Sequence, residues 1–210
     1  MCVNGAVRLD TTMNHSTEPA SAWVQRWSHL VKPGGTVLDV ACGTGRHAKW
    51  FAKQNHAVVG VDRCRSAIES ITSSLPSDVF ESVVADIENG PWPLSGRQFD
   101  AVVVTNYLWR PLWPTLLASL TPGGVLLYET FAQGNETVGK PSRPDFLLRS
   151  GELLAVCNAL QVVAFEDGFE GALETPSGIK SAHFVQRIAA VHAPSRTGNT
   201  ASLPPRYALI

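Results

Sequence analysis

Between residues 21 and 191, short apolar runs of strand length alternate with stretches whose apolar residues recur every three or four positions. The first periodic stretch is Ser21–Leu30, where Trp23, Val24, Trp27 and Leu30 share one face of a helix that Lys32-Pro33-Gly34-Gly35 ends. Thr36–Ala41 then predicts a buried strand, Cys42-Gly43-Thr44-Gly45 a turn, and Arg46–Gln54 a helix with Ala48, Phe51 and Ala52 facing inward. Ala57–Val61 is a second strand ending at Asp62, Ser66–Leu75 a helix closed by Pro76, and Val79–Ala85 a third strand ending at Asp86. After the turn-rich Asn89–Pro93 comes a fourth strand, Phe99–Thr105. Leu112, Trp113, Leu116, Leu117 and Leu120 mark the next helix; its first turn tolerates Pro111 and Pro114, and Pro122-Gly123-Gly124 stops it. Val125–Thr130 is the fifth strand, Phe131–Arg149 a polar loop, and Ser150 the cap of a helix running to Leu160. Val162–Phe165 and Phe184–Val191 are the last strands.

Strands that are apolar throughout, alternating with helices, predict a mostly parallel sheet covered on both faces: an α/β, doubly wound, Rossmann-like architecture. The chain has 210 residues, enough for one substantial core, and that core is expected over residues 19–193. Residues 1–18 read as a flexible arm, and the Pro/Ser-rich 194–210 as a tail. Seventeen Lys and Arg nearly cancel eighteen Asp and Glu, leaving a net charge of −1 and no basic footprint for nucleic acid. No apolar run approaches the ~20 residues of a membrane span, and no secretory leader is visible, so a cytoplasmic protein is expected. Cys2, Cys42, Cys64 and Cys157 are scattered, with no spacing for a disulfide framework or a metal site.

In such sheets the ligand lies outside the C-terminal strand ends, where the strand order reverses. Those ends carry Asp39 with Cys42-Gly43-Thr44-Gly45, then Asp62, Asp86-Ile87, Asn106-Tyr107 and Glu129. The glycines bring backbone amides close to a ligand at a helix start, and Asp62, 23 residues past Asp39, is spaced to accept the hydroxyls of a ribose.

Val37-Leu38-Asp39-Val40-Ala41-Cys42-Gly43-Thr44-Gly45-Arg46-His47 resembles the first motif of the class I S-adenosylmethionine-dependent methyltransferases. Val59-Gly60-Val61-Asp62 is similar to the second motif, Val84-Ala85-Asp86-Ile87 to the third, and Pro122-Gly123-Gly124-Val125-Leu126-Leu127 to the turn and fifth strand; the order holds over residues 35–131. The layout through Tyr128-Glu129-Thr130-Phe131 resembles the small-molecule branch that contains tellurite-resistance-type methyltransferases. The resemblance implies a seven-stranded sheet with its last strand antiparallel, and S-adenosylmethionine as cofactor. It implies that Asp39, Ala41, Cys42, Gly43 and Gly45 hold the amino-acid end, Asp62 with Arg63 the ribose side, Asp86 the adenine amino group and Ile87 the adenine face. Asn106 and Tyr107 would stand beside the methionine portion. Ala41 stands where the motif usually has glycine.

A small-molecule acceptor is expected among Tyr107, Trp109, Arg110, Glu129, Arg143 and Arg149, with Tyr107, Glu129 and Arg143 as the catalytic candidates and the arginines as clamps for an anion. Glu129 reads either as a general base or as a group bonded to nearby backbone. His47 reads as a surface or helix-packing residue, and Cys42 as small buried packing. Trp23 and Trp27 read equally as lid or as core. Gly43-Thr44-Gly45-Arg46-His47-Ala48 also fits the G-x-G-x-x-A turn of a dinucleotide fold, which keeps an NAD(P)-dependent oxidoreductase as the rival; a noncatalytic S-adenosylmethionine-binding protein is the third reading.

Overall fold

A computed structural model describes residues 18–171, 174–175, 178–179, 182–193 and 206–209. The expected arm apart from Glu18, most of the expected tail, and Cys2 lie outside the described residues. The elements run α1 (Ala22–Trp27), β1 (Val37–Val40), α2 (Arg46–Lys53), β2 (Val58–Asp62), α3 (Arg65–Thr72), β3 (Phe80–Val84) and β4 (Phe99–Thr105). They continue with α4 (Trp113–Ala118), β5 (Leu120–Phe131), α5 (Glu152–Val156), β6 (Gln161–Glu170), the short β7 (Glu174–Thr175) and β8 (Gly178–Ile179), and β9 (His183–Val191).

All four residues of β1 are buried, because parallel neighbours β2 and β4 flank it and helices cover both faces. A strand in that position has no wet face, which is why its sequence is a continuous apolar run interrupted only by Asp39. β3, at one edge, exposes Glu81 and Ser82. The strand order is β3-β2-β1-β4-β5-β9-β6 in a seven-stranded sheet, with β9 antiparallel to both β5 and β6; β7 and β8 pair separately. This is the expected Rossmann-like sheet with its last strand reversed.

Alternation along each strand sends Val37, Ala101, Val103, Val125 and Leu127 to one face, under Trp23, Val24 and Trp27 of α1, Phe51 of α2, and Ile68 and Ile71 of α3. Leu38, Val40, Val102, Val104, Leu126 and Ile188 go to the other, under Leu116 of α4 and Leu153 of α5. The order turns outward in both directions from the β1–β4 pair, so the crevice falls at their C-terminal ends.

Three of the boundaries that differ from the sequence expectation have a visible cause. Pro122-Gly123-Gly124 does not stop the fourth long helix: α4 already ends at Ala118, and Leu120 opens β5. There Gly123 at φ 85 donates to the His192 carbonyl, and the strand shifts register against Phe99 and Ala101, so the glycines serve an irregular strand entry. Ser150 does not cap α5; its hydroxyl donates to Asp167 at 2.9 Å, Gly151 at φ 69 starts a helix of five residues, and Cys157 ends it. β6 runs five residues past Phe165, to Glu170, because Glu166–Glu170 extend along Arg187–His183 of β9. Part of the expected tail is docked: Tyr207 packs on the α1 side of the core, and a ring nitrogen of His29 meets the Ala208 carbonyl at 3.1 Å. Among the described residues no helix is long and apolar enough to cross a membrane.

Candidate active site

The turn from β1 into α2 reverses within five residues because Ala41, Gly43 and Gly45 all take left-handed backbone, with φ of 53, 54 and 76. Gly45 is required twice over, since a Cβ there would stand 2.6 Å from Ile71 Cδ1. Ala41 occupies the same conformation with a side chain, at a cost of roughly 1–2 kcal/mol. The Gly43 amide donates to Asp62 Oδ2 at 2.9 Å and the Cys64 amide to Oδ1 at 2.7 Å, so one buried carboxylate at the end of β2 joins the two loops.

Asp39 lies beneath this loop, 1% exposed, and its Oδ2 accepts the Ala48 amide in the first turn of α2 at 3.1 Å. That amide has no partner within the helix, so Asp39 anchors the helix start, and it is not among the residues lining the cleft beside the loop. Burial pushes its carboxyl up to about 7, outweighing the Ala48 bond. Cys42 is packed as expected, and burial pushes its thiol well above the usual range.

Ala41, Asp62, Arg63, Ala85, Asp86, Ile87, Glu88 and Tyr107 line a narrow cleft at the C-terminal strand ends. Asp86 Oδ1 accepts the amides of Glu88 and Asn89 at 3.0 and 3.1 Å, and Oδ2 accepts Asn89 Nδ2 at 3.0 Å; these bonds, the Asn89 side chain first, hold its carboxyl below the ordinary range. Much of its hydrogen-bonding capacity therefore shapes the turn. Tyr107 is 4% exposed, and its hydroxyl has no partner in hydrogen-bond geometry; burial, then the neighbouring Glu88 carboxylate, raises it. It stands in the cleft wall shared with Asp62 and Asp86.

A second group lies at the ends of β4 and β5. Asn106, at φ 53, donates its amide to the Glu129 carbonyl at 2.9 Å. Glu129 Oε2 accepts the Ser21 hydroxyl at 3.1 Å and forms an ion pair with Arg187 Nε at 2.9 Å; burial raises its carboxyl, against the pull of Arg187. His47, 2% exposed, accepts the Ser21 amide on Nε2 at 3.2 Å and meets Thr105 Oγ1 through Nδ1 at 3.3 Å. An amide can only donate, so the proton of the neutral ring sits on Nδ1 and is donated to Thr105. Burial, then the adjacent Arg46 charge, lowers His47 to about 3, so the ring is neutral at ordinary pH. Ser21, Thr105 and Arg187 were not singled out in the sequence. The available signals were a Ser ahead of an apolar helix and one cation inside the apolar run of β9.

The three arginines expected as an anion clamp are each paired within the chain. Arg110 is bidentate to Glu152 at 2.8 and 2.9 Å and donates to the carbonyls of Asp145 and Leu147, tying the 132–148 loop to α5. Arg143 is exposed, pairs with Asp145 at 3.1 Å and lies over the Phe146 ring; Arg149 is exposed and reaches Glu152 at 3.7 Å. Trp23 and Trp27 are core: the rings lie 5.7 Å apart, and Trp23 Nε1 donates to the Ile188 carbonyl. A wider hollow at the opposite, N-terminal strand ends is bordered by Glu81 and Arg97, which pair with each other at 2.6 Å. Among the described residues no cluster of three His, Cys, Asp or Glu could hold a metal.

Residues 37–124, the span from β1 to the entry of β5, match the family of methyltransferase domains. The matched segment, under half of the chain, is a methyltransferase domain. Over 109 residues it is 28% identical to malonyl-[acyl-carrier protein] O-methyltransferase of Serratia marcescens, covering 49% of this chain and 41% of that protein. The chain spans about half the length of the curated relatives it matches. Among solved structures, the methyltransferase domain resembles TehB of Haemophilus influenzae with a TM-score of 0.63 and 18% identity, over 78% of this chain and 59% of that one. A TehB-like SAM-dependent methyltransferase of Corynebacterium glutamicum matches with a TM-score of 0.55 and 19% identity, over 84% and 90%. At these identities the likeness is one of fold.

The cofactor that the sequence resemblance implies is S-adenosylmethionine, and the residues of this site fit it. Each Asp62 oxygen accepts one amide and keeps a lone pair for a ribose hydroxyl. The left-handed loop leads into the N-terminus of α2, a position suited to a carboxylate. The buried Tyr107 hydroxyl, beside the Glu88 carboxylate, makes no hydrogen bond of normal geometry.

Proposed function

We propose that this chain transfers the methyl group of S-adenosylmethionine to a small-molecule acceptor by in-line displacement. The observation that carries the proposal is the cleft joining Asp62, Ile87 and Tyr107 at the topological switch of a matched methyltransferase domain. When bound, the cofactor supplies an electrophilic methyl on a sulfonium whose departing thioether is neutral. The chain's task is then mainly alignment and exclusion of water. Asp62 and the Ala41–Gly45 loop hold the nucleoside and amino-acid ends, with Arg63, Ile87 and Tyr107 as walls. Glu129, its carboxyl raised by burial and steadied by Arg187 and Ser21, takes the proton released by an O–H, N–H or S–H acceptor. Arg143, paired at the surface, has no part in this reading.

S-Adenosylhomocysteine at ~100 times its Kd should stabilise the protein by about 2.7 kcal/mol, while NAD and NADP leave the melting curve unmoved. The acceptor is then sought with a panel of thiols, oxyanions, quinones and carboxylates, scored for S-adenosylhomocysteine released. Stabilisation by the dinucleotide alone would return the oxidoreductase reading. Binding without turnover across the panel would count against small-molecule transfer.

A further inference from the structure

The acceptor side of the site is covered by the chain's own N-terminal segment. Glu129, near the end of β5, has a side chain 12% exposed, His47, in the first turn of α2, is 2% exposed, and Ser21 hydrogen-bonds to both. The Ser21 hydroxyl oxygen accepts the amides of Trp23 and Val24, at 3.1 and 3.4 Å, as the cap of α1. With both lone pairs used, its proton has one direction left, toward Glu129. The Ser21 backbone amide is held independently by His47 Nε2, and the preceding Glu18 reaches Arg46 at 3.4 Å. Beyond α1, Ser21 meets Glu129 and His47 and Glu18 meets Arg46, and Arg46 and His47 are the first two residues after the glycine loop.

We propose that Glu18–Ser21 is a strap over the methyl-acceptor side, and that His47 couples it to the cofactor loop as a positioning residue. This rests on the cofactor reading above. His47 suits the task because burial keeps its ring neutral, with one nitrogen free to accept from the strap and the other donating to Thr105 at the end of β4. A ligand that orders residues 41–45 also orders the helix turn bearing His47, and so the strap; losing the ligand loosens both. Acceptor entry then requires the strap to lift from Glu129, and closure excludes water from the transfer.

The test is hydrogen exchange, read by mass spectrometry on the full chain with and without S-adenosylhomocysteine. In the wild type, the ligand should slow exchange in residues 41–46 and also, by a few-fold to roughly tenfold, in 18–30, the scale of one or two net hydrogen bonds. In His47→Ala, protection of 41–46 should remain while the ligand-dependent part in 18–30 disappears. His47→Gln, whose amide can both accept and donate, should restore it. A merely structural role for His47 would raise exchange in 18–30 equally with and without ligand, and that result overturns the proposal. So does a wild type in which ligand protects 41–46 and leaves 18–30 unchanged, a comparison that needs no variant. Absence of ligand protection anywhere would instead overturn the methyltransferase reading beneath it.

Discussion

Asp39 and His47 are buried within one strand and one helix turn of each other, and their titrations push stability in opposite directions. The folded protein keeps Asp39 protonated up to about pH 7 against the usual 3.8, so between ~4 and 7 it binds more protons than the unfolded chain, and this contribution falls as pH rises. His47 stays neutral in the fold down to about 3 against the usual 6.5, so there the unfolded chain binds the extra proton, and this contribution rises with pH. From pH ~4 to 6.5 the two largely cancel. Removing one exposes the other, at up to about 1.4 kcal/mol per pH unit. Asp39→Asn should therefore gain stability from pH 4 to 6.5, relative to the wild type, and His47→Gln should lose it from pH 4 to 7; urea midpoints across that range read both slopes. Parallel profiles for the wild type and both variants would refute the pairing. Tyr107→Phe removes a buried hydroxyl that makes no hydrogen bond of normal geometry and lies beside Glu88, so the ligand-free protein should change in stability by no more than about 1 kcal/mol, while affinity for S-adenosylhomocysteine drops several-fold to tenfold in calorimetry.

At the scale of elements, long loops and short helices are held by particular side chains rather than by their own propensity. The loop after β5 returns to Leu148, whose amide donates to the Phe131 carbonyl, and Arg110 then clips it to α5 through two carbonyls and a bidentate Glu152. Arg110→Ala should cost about 2 kcal/mol and expose the 132–148 loop to limited proteolysis, since it leaves Glu152 partly buried without its main cation. Arg143→Ala should change neither stability beyond about 0.5 kcal/mol nor cofactor affinity, because its pair with Asp145 is solvent-exposed. Five-residue α5 shows why the sequence overran its end: Leu153 alone of its residues is fully buried, and the Gln186 side chain from β9 takes its amide. That partner is 33 positions away in the chain and invisible to local periodicity.

Across the whole molecule, one sheet separates two apolar layers, and α1 closes the layer on which the glycine loop also rests. Phe51, fully buried under that layer, should cost about 3–5 kcal/mol when cut to Ala, in a single transition by both tryptophan fluorescence and circular dichroism. Two separated transitions would mean that the layers unfold independently.

The sequence by itself determined the sheet, its helical layers and the cleft's outline, because each depends on periodicity and on turn chemistry within about ten residues. Continuous apolar runs require strands buried on both sides, and a Gly43-Thr44-Gly45 turn requires a helix start. Tertiary structure alone decided the roles of individual polar groups. Asp39 and Asp62 are both acids at strand ends, yet one turns inward to a helix amide and the other faces the cleft, a difference set by which backbone donor stands nearby. Arg110 and Arg143 look equivalent in the chain; packing gives Arg110 a structural clip and leaves Arg143 at the surface. Ser21 meets Glu129 across 108 positions, and such a contact exists only after the sheet has brought both chain segments to one rim.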